Sequence, residues 1–277
     1  MNLAEKKLFL FDIDGTIANG THLIDGTTDF LQKIHEAGGE YIFITNNSTK
    51  SIRDYVRKFD AWRIPTSEKN FITASYMTVK LLQQKYAGRL IYLMGTVSLE
   101  QELRKSGIRV TTDSADPEIS CVLVGYDSEL TYAKLVECCR VLSTRKTDFL
   151  ATNPDLVCPI EFGFVPDCGS ICQMLENAVK RRPYFIGKPD PGMVYEAMRQ
   201  TGFTKQQTLV VGDRMYTDIL CGVNAGADTA LVLTGEADSA EEKASPYHAS
   251  IVCPDIRELY EEWLAARQRG LSGQAEF

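Results

Sequence analysis

The sequence predicts an α/β protein: a doubly wound parallel sheet with a second α/β domain inserted into it. Three observations predict this. Short, wholly apolar runs of strand length stop abruptly at polar signatures, as Lys7-Leu8-Phe9-Leu10-Phe11 stops at Asp12-Ile13-Asp14-Gly15-Thr16; a parallel strand buried on both faces has this character. Segments of helical apolar spacing alternate with those runs through short links. A stretch of roughly a hundred residues in the middle carries its own complete alternation, enough for a separate core.

In chain order, the first strand ends at Phe11, and a helix follows over 26–37, with Phe30, Leu31, Ile34 and Ala37 on one side. Gly38-Gly39 stops it. Tyr41 to Ile44 is a second buried strand, ending in Thr45-Asn46-Asn47-Ser48. A helix over 51–62, a short strand at Phe71-Ile72 and a helix over 75–86 complete the first third. The middle stretch alternates strand (90–94), helix (99–105), strand (119–124), helix (131–142), strand (149–152) and helix (169–181). The last third resumes with Tyr184-Phe185-Ile186 running into Gly187-Lys188-Pro189, a helix over 191–200, and a strand over 208–211 before Gly212-Asp213-Arg214. A helix over 216–225, strands at 229–233 and 250–253, and an amphipathic helix over 256–267 follow. The junctions fall near Lys80 and Pro183, which gives a discontinuous core of 1–79 and 184–277 and an inserted domain of 80–183.

Composition narrows the function. The chain has 277 residues, is 44% apolar and 24% charged, and carries a formal charge of −7, which is ordinary for a globular protein. The acidic balance, with no basic run longer than Lys180-Arg181-Arg182, argues against nucleic acid as a partner. No apolar run approaches the roughly 18 residues that cross a bilayer, and the opening MNLAEKK is neither a signal peptide nor an anchor. The expectation is a cytoplasmic protein without a membrane partner. The eight cysteines contain no CxxC, and zinc-ligand spacing is absent, so reduced and mostly buried thiols are expected. His22, His35 and His248 are scattered and receive no catalytic role.

In open parallel sheets the ligand crevice lies beyond the carboxyl ends of the strands. Here those ends carry Asp12/Asp14/Thr16, Thr45/Asn46/Asn47/Ser48, Gly187/Lys188 and Asp213/Asp218. Asp12, Asp14 and Asp213 are hard oxygen donors with no histidine or thiol beside them, a set suited to Mg²⁺. Without a cation, carboxylates brought together repel one another. Lys188 offers a point charge for a phosphoryl oxygen; Thr45 and the amides after it add hydrogen bonds, and a helix N-terminus favours an anion. Metal, lysine and amides aimed at one tetrahedral anion clamp a phosphoryl group. One carboxylate is left to act as nucleophile, and another, two residues along, to serve as acid and base.

These residues resemble the haloacid dehalogenase-like (HAD) superfamily. Its first motif, DxDxT/V, is similar to Asp12-Ile13-Asp14-Gly15-Thr16. Its second, a strand ending in Thr or Ser, is similar to Ile44-Thr45-Asn46-Asn47-Ser48. Its third-motif lysine matches Lys188, and its fourth, GDxxxxD, matches Gly212 to Asp218. TNNS, GKP and GDRxxTD together resemble subfamily IIA, the NagD-like and 4-nitrophenyl-phosphatase-like enzymes, whose α/β cap is inserted between the second and third motifs of a Rossmann-like core.

The resemblance implies a Mg²⁺-dependent phosphatase of a small soluble phosphorylated metabolite. Asp12 would attack phosphorus and also ligate the metal. Asp14 would be the general acid and base, its backbone carbonyl a metal ligand. Asp213 would complete the protein ligands, with Asp218 contributing more weakly. Thr45, the Asn46 and Asn47 amides, and Lys188 would hold the phosphoryl oxygens. The cap would cover the crevice and read the leaving group. Asn153 and Asp155 of Thr152-Asn153-Pro154-Asp155 are its candidate readers, and an Asx-type turn is the rival reading of that loop. Gly125-Tyr126-Asp127 is a weaker candidate. Relatives with this cap often dimerise through it, so the resemblance allows a homodimer. Two other functions remain open: a phosphotransferase or mutase using the same aspartyl-phosphate, and a silent phosphate-binding protein. Dehalogenation fits less well, because that chemistry does not use a second Asp at the position of Asp14. The substrate itself is open among sugar phosphates, nucleoside monophosphates, phosphoglycolate and pyridoxal phosphate.

Overall fold

The computed structural model describes residues 1–47, 51–160 and 162–272; Ser48 of the second motif lies outside them. The chain opens with β1 (Leu8–Phe11), a small hairpin of β2 (Ala18–Asn19) and β3 (His22–Leu23), α1 (Thr27–Glu36), β4 (Glu40–Thr45), α2 (Ile52–Ala61) and β5 (Phe71–Thr73). It continues through α3 (Ala74–Lys85), β6 (Leu90–Met94), α4 (Val97–Lys105), β7 (Arg109–Thr111), β8 (Ile119–Val124), α5 (Tyr132–Thr144) and β9 (Asp148–Ala151). Then come β10 (Val157–Ile160), β11 (Gly163–Pro166), α6 (Cys168–Val179), β12 (Tyr184–Phe185) and α7 (Gly192–Thr201). The last elements are β13 (Thr208–Gly212), α8 (Leu220–Ala225), β14 (Asp228–Val232), α9 (Ser239–Ala244), β15 (Ile251–Cys253) and α10 (Ile256–Ser272).

Two compact units result. The first comprises 1–45, 52–72 and 189–277, and the second 46–51 and 73–188. The first unit's sheet has the order β15-β14-β13-β1-β4-β5. Its centre is parallel, with Phe11 opposite both Val211 and Phe43. That register brings the ends of β1, β4 and β13 level. Side chains alternate along β1. Phe9 and Phe11 enter a core with Phe30 of α1, Phe59 of α2 and Trp263 of α10. The Phe9 ring meets those of Phe30 and Trp263 edge-on at 5.2 and 5.5 Å, a favoured aromatic geometry. On the opposite face α8 lies close through Gly222, where an added Cβ would stand 2.2 Å from Thr229 Cγ2 and 3.2 Å from Val210 Cβ. Helices therefore cover both faces, as a doubly wound sheet requires.

The second unit repeats the plan with a parallel sheet of order β12-β9-β8-β6-β7. Tyr92, Val122, Val124 and Phe149 pack with α5 and α6 on one face. Ile91, Leu93, Leu123 and Leu150 pack with α3 and α4 on the other. This second core moves both junctions from where the sequence put them. Leu82 of α3 is fully buried among Ile91, Leu93 and Leu123, so the whole helix belongs to the second unit, which the chain re-enters at Thr73 instead of Lys80. Tyr184 and Phe185 pair with Leu150 and Ala151, so β12 is a strand of the second sheet and the chain leaves at Lys188 instead of Pro183.

Some features lie outside the sequence reading, among them the short helix α9. The β2–β3 and β10–β11 hairpins and the edge strand β7 are too short or too interrupted to show alternation. Pro159 and Pro166 sit in β10 and β11, and proline inside a run speaks against a strand except at edges. The expected helix over 216–225 is two pieces: a wide turn over Met215–Ile219, then α8.

All eight cysteines are free thiols, and six are buried. Burial pushes Cys121 and Cys253 up to about 12, so both stay protonated and unreactive at neutral pH. With a disulfide-exchange reagent at pH 8, only Cys139 and Cys158, the two partly exposed thiols, are expected to react rapidly in the native protein. Unfolding should release the other six. Rapid reaction of more than two native thiols would contradict the packing.

Candidate active site

The acidic cluster belongs to the first unit. Asp12 directly follows β1, and its N–H donates to the Val211 carbonyl at 2.9 Å, extending the strand pairing by one residue. The chain then turns sharply at Gly15, whose φ of +91° strongly favours glycine. Asp213 follows β13 in the same way. Arg214 O accepts from the N–H groups of both Asp218 and Ile219, at 3.1 and 3.2 Å. The second of these is an i→i+5 bond, the kind of widened turn that recurs at functional sites. It brings Asp218 back toward the strand end, where its Oδ2 accepts from Arg214 N–H at 3.1 Å. Gly212 is required there, because a Cβ would lie 2.1 Å from that of Asp218.

As a result, carboxylate oxygens of Asp12, Asp213 and Asp218 lie within 4.8 Å of one another. Asp213 and Asp218 are only 2% and 1% exposed. Asp213 is oriented from two sides: Thr16 Oγ1 donates to Oδ1 at 3.2 Å, and Glu236 N–H donates to Oδ2 at 2.9 Å. The loop carrying Glu236 presses so close that a Cβ on Gly235 would fall 1.9 Å from Asp213 Oδ2. Three carboxylates this near to one another destabilise each other unless positive charge is shared among them. The donor atoms are all hard oxygens, so the set fits a divalent cation of the Mg²⁺ type.

Asp14 stands apart from that cluster. Its carboxylate is paired with Lys58 Nζ at 3.4 Å, and Lys58 also lies 4.7 Å from the centre of the Trp62 ring. The sequence does not single out Lys58, because only the approach of α2 to the Asp12–Thr16 loop makes it a neighbour of Asp14. Thr45 is buried at the end of β4, and Asn47 is partly exposed.

In the second unit, Asn46, the 152–155 loop and Gly187-Lys188 come together. Asn46 Nδ2 donates to Asp155 Oδ2 at 2.6 Å and to Lys188 O at 2.9 Å, while Asn46 Oδ1 accepts from Lys188 N–H at 2.8 Å. Asn153 Nδ2 donates to Asp155 Oδ2 at 2.9 Å and Asp167 Oδ1 at 3.2 Å, and Thr152 Oγ1 donates to Asn153 Oδ1 at 2.7 Å. The two side chains put forward as readers of a leaving group therefore have protein partners, and they are 1% (Asn153) and 5% (Asp155) exposed. Tyr126 is partly buried against the α5–α6 core, and Asp127 is ion-paired to Lys134 at 2.8 Å.

A parallel sheet whose strand ends gather three aspartates, with an α/β insertion after the second motif, defines a HAD-type hydrolase. Residues 9–109 match the haloacid dehalogenase-like hydrolase family and residues 185–259 a HAD-hydrolase-like family. The chain belongs to the haloacid dehalogenase-like hydrolases, and among them to the phosphatases of NagD-like architecture. It is 33% identical over 246 residues to the 5′-nucleotidase YutF of Bacillus subtilis, covering 88% of this chain and 94% of that one. The 4-nitrophenylphosphatase of Thermotoga maritima superposes with a TM-score of 0.86 at 32% identity, over 94% of this chain and 98% of the other. A glycerol phosphate phosphatase of Mycobacterium tuberculosis, solved in complex with magnesium, gives 0.84 at 27% identity, over 94% and 78%. Among the described residues, no helix is long and apolar enough to cross a membrane.

Proposed function

We propose that this enzyme is a Mg²⁺-dependent phosphatase that hydrolyses a small soluble phosphate monoester through an aspartyl-phosphate on Asp12. The observation that carries the reading is the crowding of Asp12, Asp213 and Asp218 carboxylates within 4.8 Å beside the short loop that bears Asp14. Asp12, Asp213, Asp218 and the Asp14 carbonyl would hold the metal. When bound, Mg²⁺ supplies positive charge that offsets the carboxylates and the phosphoryl oxygens.

The chain's own residues then carry two displacements. An Asp12 carboxylate oxygen attacks phosphorus as the ester P–O bond breaks, and protonated Asp14 gives its proton to the departing alkoxide. Asp14, now a carboxylate, takes a proton from water. The resulting hydroxide attacks phosphorus, the Asp12–phosphorus bond breaks, and inorganic phosphate leaves. Thr45, the main-chain N–H groups of Asn46 and Asn47, and Lys188 hold the phosphoryl oxygens in both steps. Relatives named for a nucleotide, a nitrophenyl ester and a glycerol phosphate support a monoester substrate without choosing the alcohol. Eight free thiols suit a reducing compartment, and we place the enzyme in the cytoplasm.

Purified protein with 4-nitrophenyl phosphate and Mg²⁺, and no acceptor alcohol, is expected to release inorganic phosphate in step with nitrophenol. EDTA should abolish the reaction and excess Mg²⁺ restore it. Undiminished turnover in EDTA would overturn the metal assignment, and no turnover of any phosphate monoester would overturn the phosphatase reading.

A further inference from the structure

We infer that Asp155 is a positioning residue: its buried carboxylate, acting through the Asn46 side chain, fixes the main chain of Lys188 for phosphate binding. The inference rests on the phosphatase reading above. The Asn46 amide grips Lys188 at two points, donating to its carbonyl and accepting from its N–H, much as a neighbouring strand would. Gly187 permits the approach, since a Cβ there would stand 2.4 Å from Asn46 Oδ1. The remaining hydrogen of the same amide goes to Asp155 at 2.6 Å. A carboxylate in that place requires the NH₂ group and rejects the carbonyl oxygen, so Asp155 and the Lys188 carbonyl together dictate which way Asn46 faces.

Asp155 is itself held. Asn153 donates to the same carboxylate oxygen and is anchored by Asp167 and Thr152. Asn46, Thr152, Asn153, Asp155, Asp167 and Lys188 are all buried. A buried and mutually satisfied polar network is rigid, and rigidity is what a charge aimed at a phosphoryl group needs. A side chain enclosed in this way, with one carboxylate oxygen already accepting two hydrogen bonds, is poorly placed to distinguish alcohols.

The test compares wild type with Asp155→Ala, Asn46→Ala and the double variant on 4-nitrophenyl phosphate, a sugar phosphate and a nucleoside monophosphate. Loss of positioning by an ångström or so costs about 10- to 100-fold. Asp155→Ala is expected to lower kcat/KM by that factor, equally for every ester that wild type turns over. Most of the loss should appear in KM, and the inhibition constant of inorganic phosphate should rise in parallel. The double variant is expected to be no worse than the poorer single one, because both act through one contact. A loss that reorders the esters would make Asp155 a reader of the leaving group and overturn the inference. Additive losses, or unchanged kcat/KM in folded protein, would also overturn it. Circular dichroism monitors folding; should the alanine variant not fold, Asp155→Asn, which keeps size and an acceptor oxygen, carries the same expectations at a smaller fold-change. Failure of wild type on every ester would remove the phosphatase reading, whereas wild-type turnover with an unaffected variant removes only this inference.

Discussion

Asp12→Asn is expected to lower turnover by roughly 10⁴-fold or more while the protein still folds. Asparagine has the size of aspartate but no anionic oxygen to form a bond to phosphorus. A loss of that size corresponds to about 5.5 kcal/mol of transition-state stabilisation, far more than loss of a single positioning contact. The fold should survive because the strand pairing at this point is made by the Asp12 main chain, through its N–H to Val211 O. The core beneath consists of Phe9, Phe11 and their aromatic neighbours, which the substitution leaves alone. Steady-state kinetics on protein checked by circular dichroism decides the matter: more than a few per cent of wild-type turnover would remove Asp12 as nucleophile.

The second large effect concerns Asp213. Asp213→Asn removes an anionic donor while leaving its Thr16 and Glu236 neighbours in place. Outer partners of metal ligands already cost about 10- to 100-fold in metal affinity when altered, and a ligand itself is expected to cost at least as much. The Mg²⁺ concentration for half-maximal activity should rise accordingly. Gly235→Ala should reproduce the effect without changing any charge, because its Cβ would fall 1.9 Å from Asp213 Oδ2 and 2.4 Å from Cγ, forcing the carboxylate or the loop to move. A second readout is independent of activity. A ligand at 100 times its Kd stabilises the native state by about 2.7 kcal/mol, so saturating Mg²⁺ should raise the melting temperature of wild type by several degrees. Little or no shift is expected for Asp213→Asn. Equal shifts in the two proteins would take Asp213 out of the metal site.

How far the sequence revealed this site depends on how local each signal is. A buried strand and its polar tip occupy one short stretch, so Leu8–Phe11 with Asp12, and Thr208–Gly212 with Asp213, announce both the sheet and the acidic residues at its edge. The paired Phe11, Phe43 and Val211 register is not written in those runs, because a strand apolar on both faces carries no alternation to fix it. Local patterns do not say which of two sheets a strand joins. Tyr184-Phe185-Ile186 reads the same in either, and only its pairing with β9 assigns it to the second unit. The sequence divides helix α3 between the units for the same reason: its allegiance is set by where Leu82 packs. Contacts between distant segments were silent altogether. Lys58 reaches Asp14 across 44 residues and Asn46 reaches Asp155 across 109, and nothing in either local pattern names the other. The 152–155 loop was singled out from its residue types, but those types serve a substrate or a protein network equally well. The burial of Asn153 and Asp155 and their hydrogen bonds to Asn46 and Asp167 come from residues far apart in the chain, which residue types alone do not reveal.

The most direct test of covalent catalysis by Asp12 is to stop the enzyme with acid during turnover of 4-nitrophenyl phosphate, reduce it with borohydride and map the product by mass spectrometry. Borohydride cleaves an aspartyl-phosphate to homoserine and inorganic phosphate. The expected result is homoserine at position 12 in wild type and none in Asp12→Asn. Modification at another residue, or no modification in an enzyme caught in active turnover, would contradict it.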